Sequence, residues 1–291
     1  MYKVEFSENN TAVIIVDKTE LDINKTLDCG QAFRWNKVAD NWWIGVAFNS
    51  LVSLKQCKYK QYENAILTNV TKENLPKLIE YLDLDTDYTS EISKLNLDNY
   101  AAKAYNYSRG IHILRQDLFE TIVTFLMSSC NTMRNIRNIV NKLSERYGDK
   151  LEVVVDNQTF SGYTFPTLEQ LSDVSIAEFT ELSMGFRAEY LYQFIQQLKA
   201  NPNALDKLKT CSYHTAIISL KSLNGIGDKV ANCICLFGLH HVEAFPIDTH
   251  IKHIIEDEYN GYLDIKSFGN IAGIIQQYMF YYEAFGNSTR Y

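Results

Sequence analysis

The segment LNGIGDKVA, residues 223–231, carries the group best suited to covalent chemistry. An apolar stretch ends at Leu223, Gly225 and Gly227 predict a tight turn, and a helix is expected to begin at Asp228. Lys229 would then lie in the first helical turn, where the positive end of the helix dipole disfavours its ammonium form. A lysine held as the free amine is a nucleophile and can form a Schiff base. An ordinary helical hairpin with a solvated lysine is the alternative that this segment alone leaves open.

The segment FPIDTH, residues 245–250, supplies a carboxylate that could assist such a lysine. Asp248 is expected to cap a helix that follows it, and capping alone would explain its presence. A carboxylate near Lys229 could also stabilise positive charge that develops on a sugar as a base departs. The sequence leaves both interpretations open.

The two hairpin glycines would also expose backbone N–H groups at a helix start, and such groups bind phosphate. The overall charge argues against a nucleic-acid partner, because 28 basic residues face 35 acidic ones and the net charge is −7. The two observations are compatible if the DNA contacts are few, local and made by backbone N–H groups.

The elements that must position these groups fall into two parts. The first 70 residues are rich in β-branched and aromatic residues, notably at 12–16 and 42–54, and a helix is predicted at 73–82. Capping boxes predict helix starts at Thr167 and Ser175, and residues 148–165 are predicted to be a loop. Further helices are predicted at residues 117–127, 133–147, 188–200, 213–222, 228–239, 249–258 and 268–285. We therefore predict an α+β fold, with an antiparallel sheet and helices in residues 1–100 and a helical domain in residues 101–291.

The bulk properties fit an intracellular protein. The six cysteines contain no CxxC pair, so we expect free thiols in a reducing cytoplasm and no metal cluster. The N-terminus does not have the pattern of a secretory signal, and no apolar run is long enough to span a membrane. We expect a monomer that needs no organic cofactor.

Several motifs of the chain resemble those of a known protein family. Residues 223–250 resemble the helix-hairpin-helix, Gly/Pro-Asp superfamily of DNA glycosylases, and a lysine in the hairpin is typical of its bifunctional members. The segments CGQAFRW (29–35), LRQD (114–117), SS (128–129) and MGFRA (184–188) are similar, in the same order, to the 8-oxoguanine DNA glycosylase family. The four-cysteine cluster of endonuclease III relatives does not follow the hairpin, which disfavours that branch.

The resemblance implies a fold and an activity. It implies a TATA-binding-protein-like sheet domain, then two helical lobes with the active site between them and the helix-hairpin-helix at about 213–240. The enzyme would flip 8-oxoguanine out of damaged duplex DNA. Lys229 would attack the sugar C1′ and form a Schiff base that permits β-elimination, while Asp248 would support the developing charge. A monovalent cation could bind the hairpin carbonyls of Leu223 and Ile226.

The resemblance also implies a base pocket. Guanine presents an acceptor at N7, and oxidation at C8 turns N7 into a donor, which the backbone carbonyl of Gly30 would recognise. The other pocket residues implied are Cys233 and Phe280 on the faces of the base, Gln276 at its Watson–Crick edge, and Phe237. Gln277 is adjacent to Gln276, so the glutamine assignment could shift by one residue.

Further positions are implied to contact DNA. Phe186 would wedge into the gap left by the flipped base, Arg187 would face the orphaned cytosine, and His250 would contact a phosphate. The remaining DNA-binding residues would be Cys130, Asn131, Gly225 and Gly227. Family members in animals and fungi have an asparagine at position 130 and an arginine at position 135, where this chain has Cys130 and Asn135. We therefore hypothesise relaxed discrimination for cytosine opposite the lesion.

Three alternative functions remain at this stage. A glycosylase for other damaged or alkylated bases would share the scaffold, but Lys229 and Gly30 argue against it. A non-catalytic helix-hairpin-helix DNA-binding protein would explain the hairpin and leave Lys229, Asp248 and Phe280 without a role. A Schiff-base enzyme for small metabolites would suit the negative charge but leave the hairpin unexplained.

Overall fold

Six antiparallel strands form the main sheet in a computed structural model, which describes residues 2–286. The strand order is β1-β2-β6-β5-β4-β3, and every pair of neighbours is antiparallel. The strands are β1 Lys3–Phe6, β2 Thr11–Ile15, β3 Trp35–Ala39, β4 Trp42–Ala47, β5 Ser50–Tyr59 and β6 Tyr62–Thr71. An N-terminal antiparallel sheet followed by helices confirms the predicted α+β class.

A first core fills one face of this sheet. Helices α1 Ile23–Leu27 and α2 Leu75–Tyr81 pack there against buried strand residues such as Ile14, Trp35 and Leu54. Burial of such large apolar side chains contributes about 1.5–3 kcal/mol each.

Helices dominate the rest of the chain. They are α3 Tyr88–Ser93, α4 Asn99–Ser108, α5 Leu118–Leu126, α6 Met133–Tyr147, α7 Leu168–Leu171, α8 Ile176–Glu181, α9 Arg187–Ala200, α10 Ala204–Thr210, α11 Tyr213–Lys221, α12 Asp228–Gly238, α13 Thr249–Glu258 and α14 Ala272–Tyr281. The predicted bounds of α6 and α13 are confirmed, and both predicted capping boxes form.

In residues 2–286 no helix has the length and apolar character needed to cross a bilayer. All six cysteines are free.

Two predictions of local structure are wrong. The predicted loop at 148–165 is a hairpin of β7 Lys150–Val155 and β8 Gln158–Tyr163, with Asp156 and Asn157 in the left-handed conformation that a tight hairpin turn needs. The hairpin packs on the main sheet, where the rings of Trp42 and Phe160 meet edge to face at 5.6 Å. The helix predicted at 268–285 is interrupted: a 3₁₀ helix at Ile265–Ile271 contains Gly269 with φ +57°, then α14 follows, then a π-helical turn at Tyr282–Gly286.

A buried ionic cluster joins the N-terminal part to the far end of α12. Asp83 accepts hydrogen bonds from Arg115 Nε at 2.8 Å, from Tyr88 Oη at 2.8 Å and from Thr86 Oγ1 at 3.1 Å, and its Oδ2 lies 3.2 Å from His240 Nε2. Burial alone would raise the pKa of this carboxyl. The hydrogen bond and charge of His240, with Tyr88 and Arg115, outweigh burial and hold the pKa of Asp83 well below its usual range.

We expect Asp83→Asn to lower the free energy of unfolding by about 3 kcal/mol at pH 7, because it removes the buried carboxylate that pairs with Arg115 and accepts the hydrogen bond of Tyr88. The pKa of Asp83 is lower in the folded than in the unfolded state, so its stabilisation is present above about pH 4 and is lost as the pH falls through the folded value. The difference between wild type and variant should therefore shrink in urea titrations at successively lower pH. Asp85→Asn, at an exposed neighbouring site, should change stability by less than about 0.5 kcal/mol. An equal loss in both variants would contradict the prediction.

Candidate active site

The predicted pair of helices and its tight turn are present. Helix α11 ends at Lys221 and α12 begins at Asp228, with Gly225 at φ +84° between them. A Cβ at Gly225 would lie 2.5 Å from Cδ2 of Tyr190, so both backbone conformation and close packing require glycine there. Gly227 is the N-cap of α12, and the space beside it is open. The N–H groups at the start of α12 are therefore accessible to a ligand.

Lys229 is held against one wall of a cleft. Its Nζ donates to Ser128 Oγ at 3.3 Å and lies 5.5 Å from the centre of the Phe125 ring. Ser128 Oγ itself donates to the Phe125 carbonyl at 2.7 Å, so a lone pair of the hydroxyl is directed to the lysine. The side chain is half-buried rather than fully solvated. Its amine therefore has a defined position.

Asp248 faces the same cleft from the start of α13. Its Oδ1 accepts the Ile251 N–H at 2.9 Å, which confirms the predicted N-cap. The side chain is half-buried and lines the cleft together with Lys229. Because a carboxylate has two oxygens with several lone-pair directions, capping leaves acceptor capacity for a second interaction.

The cleft has a volume of about 810 Å³, and a smaller pocket of about 50 Å³ lies beside it. Lys229, Asp248, Gly30 and Phe280 line both cavities, so the two are adjacent. The small pocket is completed by buried residues, which include Cys233, Phe237, Gln276 and Gln277. The structure thus brings together every residue predicted for catalysis and for the base pocket. A volume of about 50 Å³ admits only about three or four waters, so a purine enters only after its walls separate.

The thiols around this pocket are neutral. Burial raises the pKa of Cys233 to about 11, against the opposing effect of the nearby Lys229, and burial raises the pKa of Cys29 to about 12. A neutral thiol is a poor nucleophile but a polarisable wall for an aromatic ligand. Among the residues that line this pocket, Lys229 is therefore the candidate nucleophile.

The two adjacent glutamines make different contacts. Gln276 is buried, and its Oε1 has no hydrogen-bond partner among the described residues. Gln277 donates from Nε2 to the Cys29 carbonyl at 2.7 Å. His250, like Gln276, has an unpaired polar atom, because its buried Nδ1 has no hydrogen-bond partner within residues 2–286. The His250 ring meets the Phe280 ring edge to face, with 5.2 Å between the ring centres. Unpaired buried polar atoms beside a cavity are suited to binding a polar ligand.

Comparisons with known proteins fit this geometry. Residues 13–122 match the family model for the N-terminal domain of 8-oxoguanine DNA glycosylase. The chain is 32% identical to "N-glycosylase/DNA lyase OGG1" of Arabidopsis thaliana over 273 residues, which cover 87% of this chain and 72% of the relative. It is 30% identical to the N-glycosylase/DNA lyase of Saccharomyces cerevisiae, with 84% and 70% covered. The chain belongs to the 8-oxoguanine DNA glycosylase family.

A solved structure extends the likeness to the whole fold. The 8-oxoguanine glycosylase/lyase of Clostridium acetobutylicum, in complex with double-stranded DNA containing cytosine opposite 8-oxoG, superposes with a TM-score of 0.85 at 28% identity. The match covers 99% of this chain and 98% of that one. Both the sheet and the helical part are therefore arranged as in that family member.

In the present chain, some of the residues predicted to contact DNA are exposed and others are engaged within the protein. Phe186 precedes α9 and is 56% exposed, as a wedge must be. Cys130 and Asn135 are exposed as well. Asn131, by contrast, is engaged within the protein, since its Nδ2 donates to the Met127 carbonyl at 3.0 Å and its Oδ1 accepts the Thr132 N–H.

Arg187 is also engaged within the protein. Its Nε donates to the Ser129 carbonyl at 2.9 Å, one terminal nitrogen donates to the carbonyls of Ser129 and Cys130, and the other donates to the Met184 carbonyl at 3.3 Å. The residue is only 8% exposed. These bonds use four of the five N–H groups of the guanidinium, and contact of Arg187 with an orphaned cytosine stays a prediction.

The hairpin carbonyls offer limited support for a cation. The Leu223 carbonyl accepts the Ile226 N–H at 3.3 Å, which leaves it one further lone pair. Cation binding at Leu223 and Ile226 stays a prediction.

Several site residues were not predicted from the sequence. Ser128 was noted only as part of a family motif, and no pattern indicated its contact with Lys229. Phe125 and Met133 were not singled out, although Phe125 stacks on Phe237 at 5.5 Å and Met133 Sδ would lie 3.1 Å from a Cβ at Gly30. These contacts join elements that are distant in sequence, so periodicity and spacing carry no signal for them.

The cap and the charge of Asp248 can be separated by two substitutions. Asp248→Ala removes both and should lower the free energy of unfolding by about 1 kcal/mol. Asp248→Asn keeps an oxygen acceptor for the Ile251 N–H and should lose less than about 0.5 kcal/mol. Urea denaturation at pH 7 measures both variants. Equal losses would show that the charge of Asp248, rather than its cap, stabilises the fold.

Proposed function

We propose that this chain excises 8-oxoguanine from duplex DNA in base-excision repair and then cleaves the strand at the abasic site. The observation that carries the proposal is the position of Lys229, whose amine lies where a large cleft meets a pocket lined by Gly30, Cys233, Gln276 and Phe280. The names of the relatives support the same activity. We further propose that it acts as a monomer inside the cell, either in the cytoplasm at the nucleoid of a prokaryote or at another intracellular location, with a domain boundary near residue 100.

The chemistry follows from the position of the amine. Lys229 as the free amine attacks C1′, the glycosidic bond breaks, and the base leaves with the bonding electron pair and takes up a proton. The sugar ring opens to a Schiff base on the lysine. Loss of a proton from C2′ then expels the 3′ phosphate, and water releases the lysine from the cleaved strand. The carboxylate of Asp248 stabilises the positive charge on the sugar as the base departs.

Base recognition uses the unpaired polar atoms of the pocket. The Gly30 carbonyl accepts a hydrogen bond from N7–H of 8-oxoguanine, whereas guanine would place an acceptor against it. Gln276 offers its amide to the Watson–Crick edge. Cys233 and Phe280 contact the two faces of the base after Phe280 moves to widen the pocket.

DNA binding by an acidic chain is explained by local features. The N-termini of α12 and α13 both open on the cleft, where Gly227 and Thr249 lie, and their N–H groups attract phosphates. Lys252 and His250 line the same cleft. A few such contacts suffice when the wedge Phe186 holds the duplex open.

The function is tested by trapping the Schiff base with borohydride on a duplex that holds one 8-oxoguanine opposite cytosine. Wild type should give a covalent protein–DNA product, whereas Lys229→Gln should give none and should excise at least about 10³-fold more slowly. Lys252→Gln, a lysine in the same cleft, is the matched control and should still trap. If the wild type binds lesion DNA but cannot be trapped, the chain is a hydrolytic enzyme or a damage reader. If the wild type neither forms the covalent product nor binds lesion DNA, the proposed function in DNA repair is wrong.

The opposite-base hypothesis gains support from the site. We propose that recognition of the orphaned base is weak, because Cys130 and Asn135 cannot supply the hydrogen bonds of asparagine and arginine, and Arg187 is engaged with Ser129 and Cys130. Lesions opposite adenine would then be excised nearly as well as lesions opposite cytosine.

We expect kcat/KM for the lesion opposite cytosine to exceed that opposite adenine by less than about tenfold, since each missing base contact removes about 1–3 kcal/mol of discrimination. The double variant Cys130→Asn, Asn135→Arg should raise this ratio. Single-turnover excision on the two duplexes gives the ratio for each protein. A strong preference for cytosine in the wild type would refute the hypothesis.

A further inference from the structure

We propose that Gln277 is a positioning residue for lesion recognition, which fixes the peptide next to Gly30 so that the Gly30 carbonyl is presented rigidly to the base. The inference rests on the proposed function, because it assigns to Gln277 the geometry on which discrimination between 8-oxoguanine and guanine depends. Gln277 itself would not contact the base.

The central contact is buried and spans almost the whole chain. Gln277 Nε2 donates to the Cys29 carbonyl at 2.7 Å, and the two residues are 2% and 1% exposed. Within residues 2–286 the Cys29 carbonyl accepts no other hydrogen bond. The carbonyl belongs to the peptide unit that ends at the Gly30 nitrogen, so the bond sets the plane of that unit.

The peptide unit that follows Gln31 is fixed in a similar way. Gln116 Nε2 donates to the Gln31 carbonyl at 2.8 Å. The Gln31 side chain is itself held, since its Nε2 donates to the carbonyls of Thr26 and His112 and its Oε1 accepts the Leu114 N–H at 2.9 Å. A side-chain amide therefore fixes the peptide unit before and the peptide unit after the Gly30–Gln31 unit, which carries the Gly30 carbonyl.

Gly30 lies between these two held residues in a conformation that favours glycine. Its φ is +80°, and it lines both the cleft and the small pocket. Among the described residues nothing donates to the Gly30 carbonyl. This carbonyl is the one backbone acceptor of residues 29–31 that the protein leaves free for a ligand.

Rigidity matters because the two bases differ at N7 by one hydrogen atom. A carbonyl rejects guanine only if it cannot rotate away from the acceptor at N7, and a discriminating group must be held within about 0.5 Å and 10–20° of its working geometry. Glycine is the residue least able to hold its own backbone. The rigidity must therefore come from the neighbouring peptides, and Gln277 supplies it on one side.

The adjacent Gln276 provides a contrast within the same helix. Successive residues of α14 point about 100° apart, so Gln276 lines the pocket with an unpaired Oε1 while Gln277 reaches the Cys29 carbonyl. A change at Gln276 alters contacts to the base directly. Gln277 also lines the pocket, but its amide nitrogen is bonded to the Cys29 carbonyl, so a change at Gln277 acts through the support of the Gly30 carbonyl.

The experiment compares Gln277→Met with Gln56→Met. Methionine has similar length and no donor, and Gln56 is a buried amide in the N-terminal sheet that donates to the Leu21 carbonyl at 2.9 Å. Each substitution is placed in the Lys229→Gln background to measure the ratio of affinities for an 8-oxoguanine:cytosine and a guanine:cytosine duplex. Each is also placed in the active chain to measure cleavage of a preformed abasic site, which needs no base in the pocket.

Gln277→Met should lower the affinity ratio by about tenfold, because the Cys29 carbonyl loses its donor and the Gly30 peptide gains freedom. Abasic-site cleavage should stay within about twofold of the parent, and Gln56→Met should retain the full ratio. An unchanged ratio in Gln277→Met would overturn the proposal. Loss of abasic-site cleavage together with the ratio would also overturn it, since Gln277 would then support the fold as a whole. A parent protein that neither prefers 8-oxoguanine duplex nor excises the lesion would instead refute the proposed function on which the inference rests.

Discussion

The buried side chain of Gln31 is the interaction on which the geometry of the site depends. It bonds the carbonyls of Thr26 and His112 and the N–H of Leu114, so it ties the Gly30 loop to the segment that leads into α5. Helix α5 packs against α12, which carries Lys229. Lys229 and the Gly30 loop, which lie far apart in the sequence, thereby acquire one fixed relative position. A buried amide without a hydrogen-bond partner would lower the free energy of unfolding by about 1–3 kcal/mol. The fold is therefore most stable when every bond of the Gln31 side chain is formed.

The electrostatics of the site are local rather than global. The chain is acidic overall, and the lining of the cleft includes Lys229, Lys252, His250 and the starts of α12 and α13 beside the carboxylates of Asp228 and Asp248. The thiols of Cys29 and Cys233 carry no charge near neutral pH, because burial raises the pKa of both. The charges near the small pocket are therefore those of Lys229 and Asp248, and a low-dielectric wall strengthens their effect on a reacting sugar.

The sequence predicts best what local physics determines. The bounds of α6 and α13 follow from apolar spacing and from the caps Thr132 and Asp248, which act within four residues. The hairpin at 150–163 was missed because its strands are only half-buried, and their apolar residues gain partners only on the main sheet, as Phe160 does from Trp42. The sequence does not reveal the break before α14, because the apolar periodicity continues across Gly269. The break arises from the positive φ of Gly269, which a helix cannot contain.

In the candidate site, too, local sequence patterns predict some residues, and contacts formed only on folding determine the rest. Lys229 and Asp248 could be predicted because a tight turn and a cap mark their helix starts, and the pocket residues followed from family motifs. The contacts that position them could not be predicted, since Ser128 meets Lys229 and Gln277 meets Cys29 only in the folded chain.

One short loop contacts both the proposed nucleophile and the residue proposed to face the opposite strand. Residues 128–130 hold Lys229 through the Ser128 hydroxyl and hold Arg187 through the carbonyls of Ser129 and Cys130. Any movement of Arg187 toward DNA removes the donors of two loop carbonyls, which must then find water or new partners. A movement of Arg187 would therefore change the hydrogen bonds of the same loop that contacts the Lys229 amine.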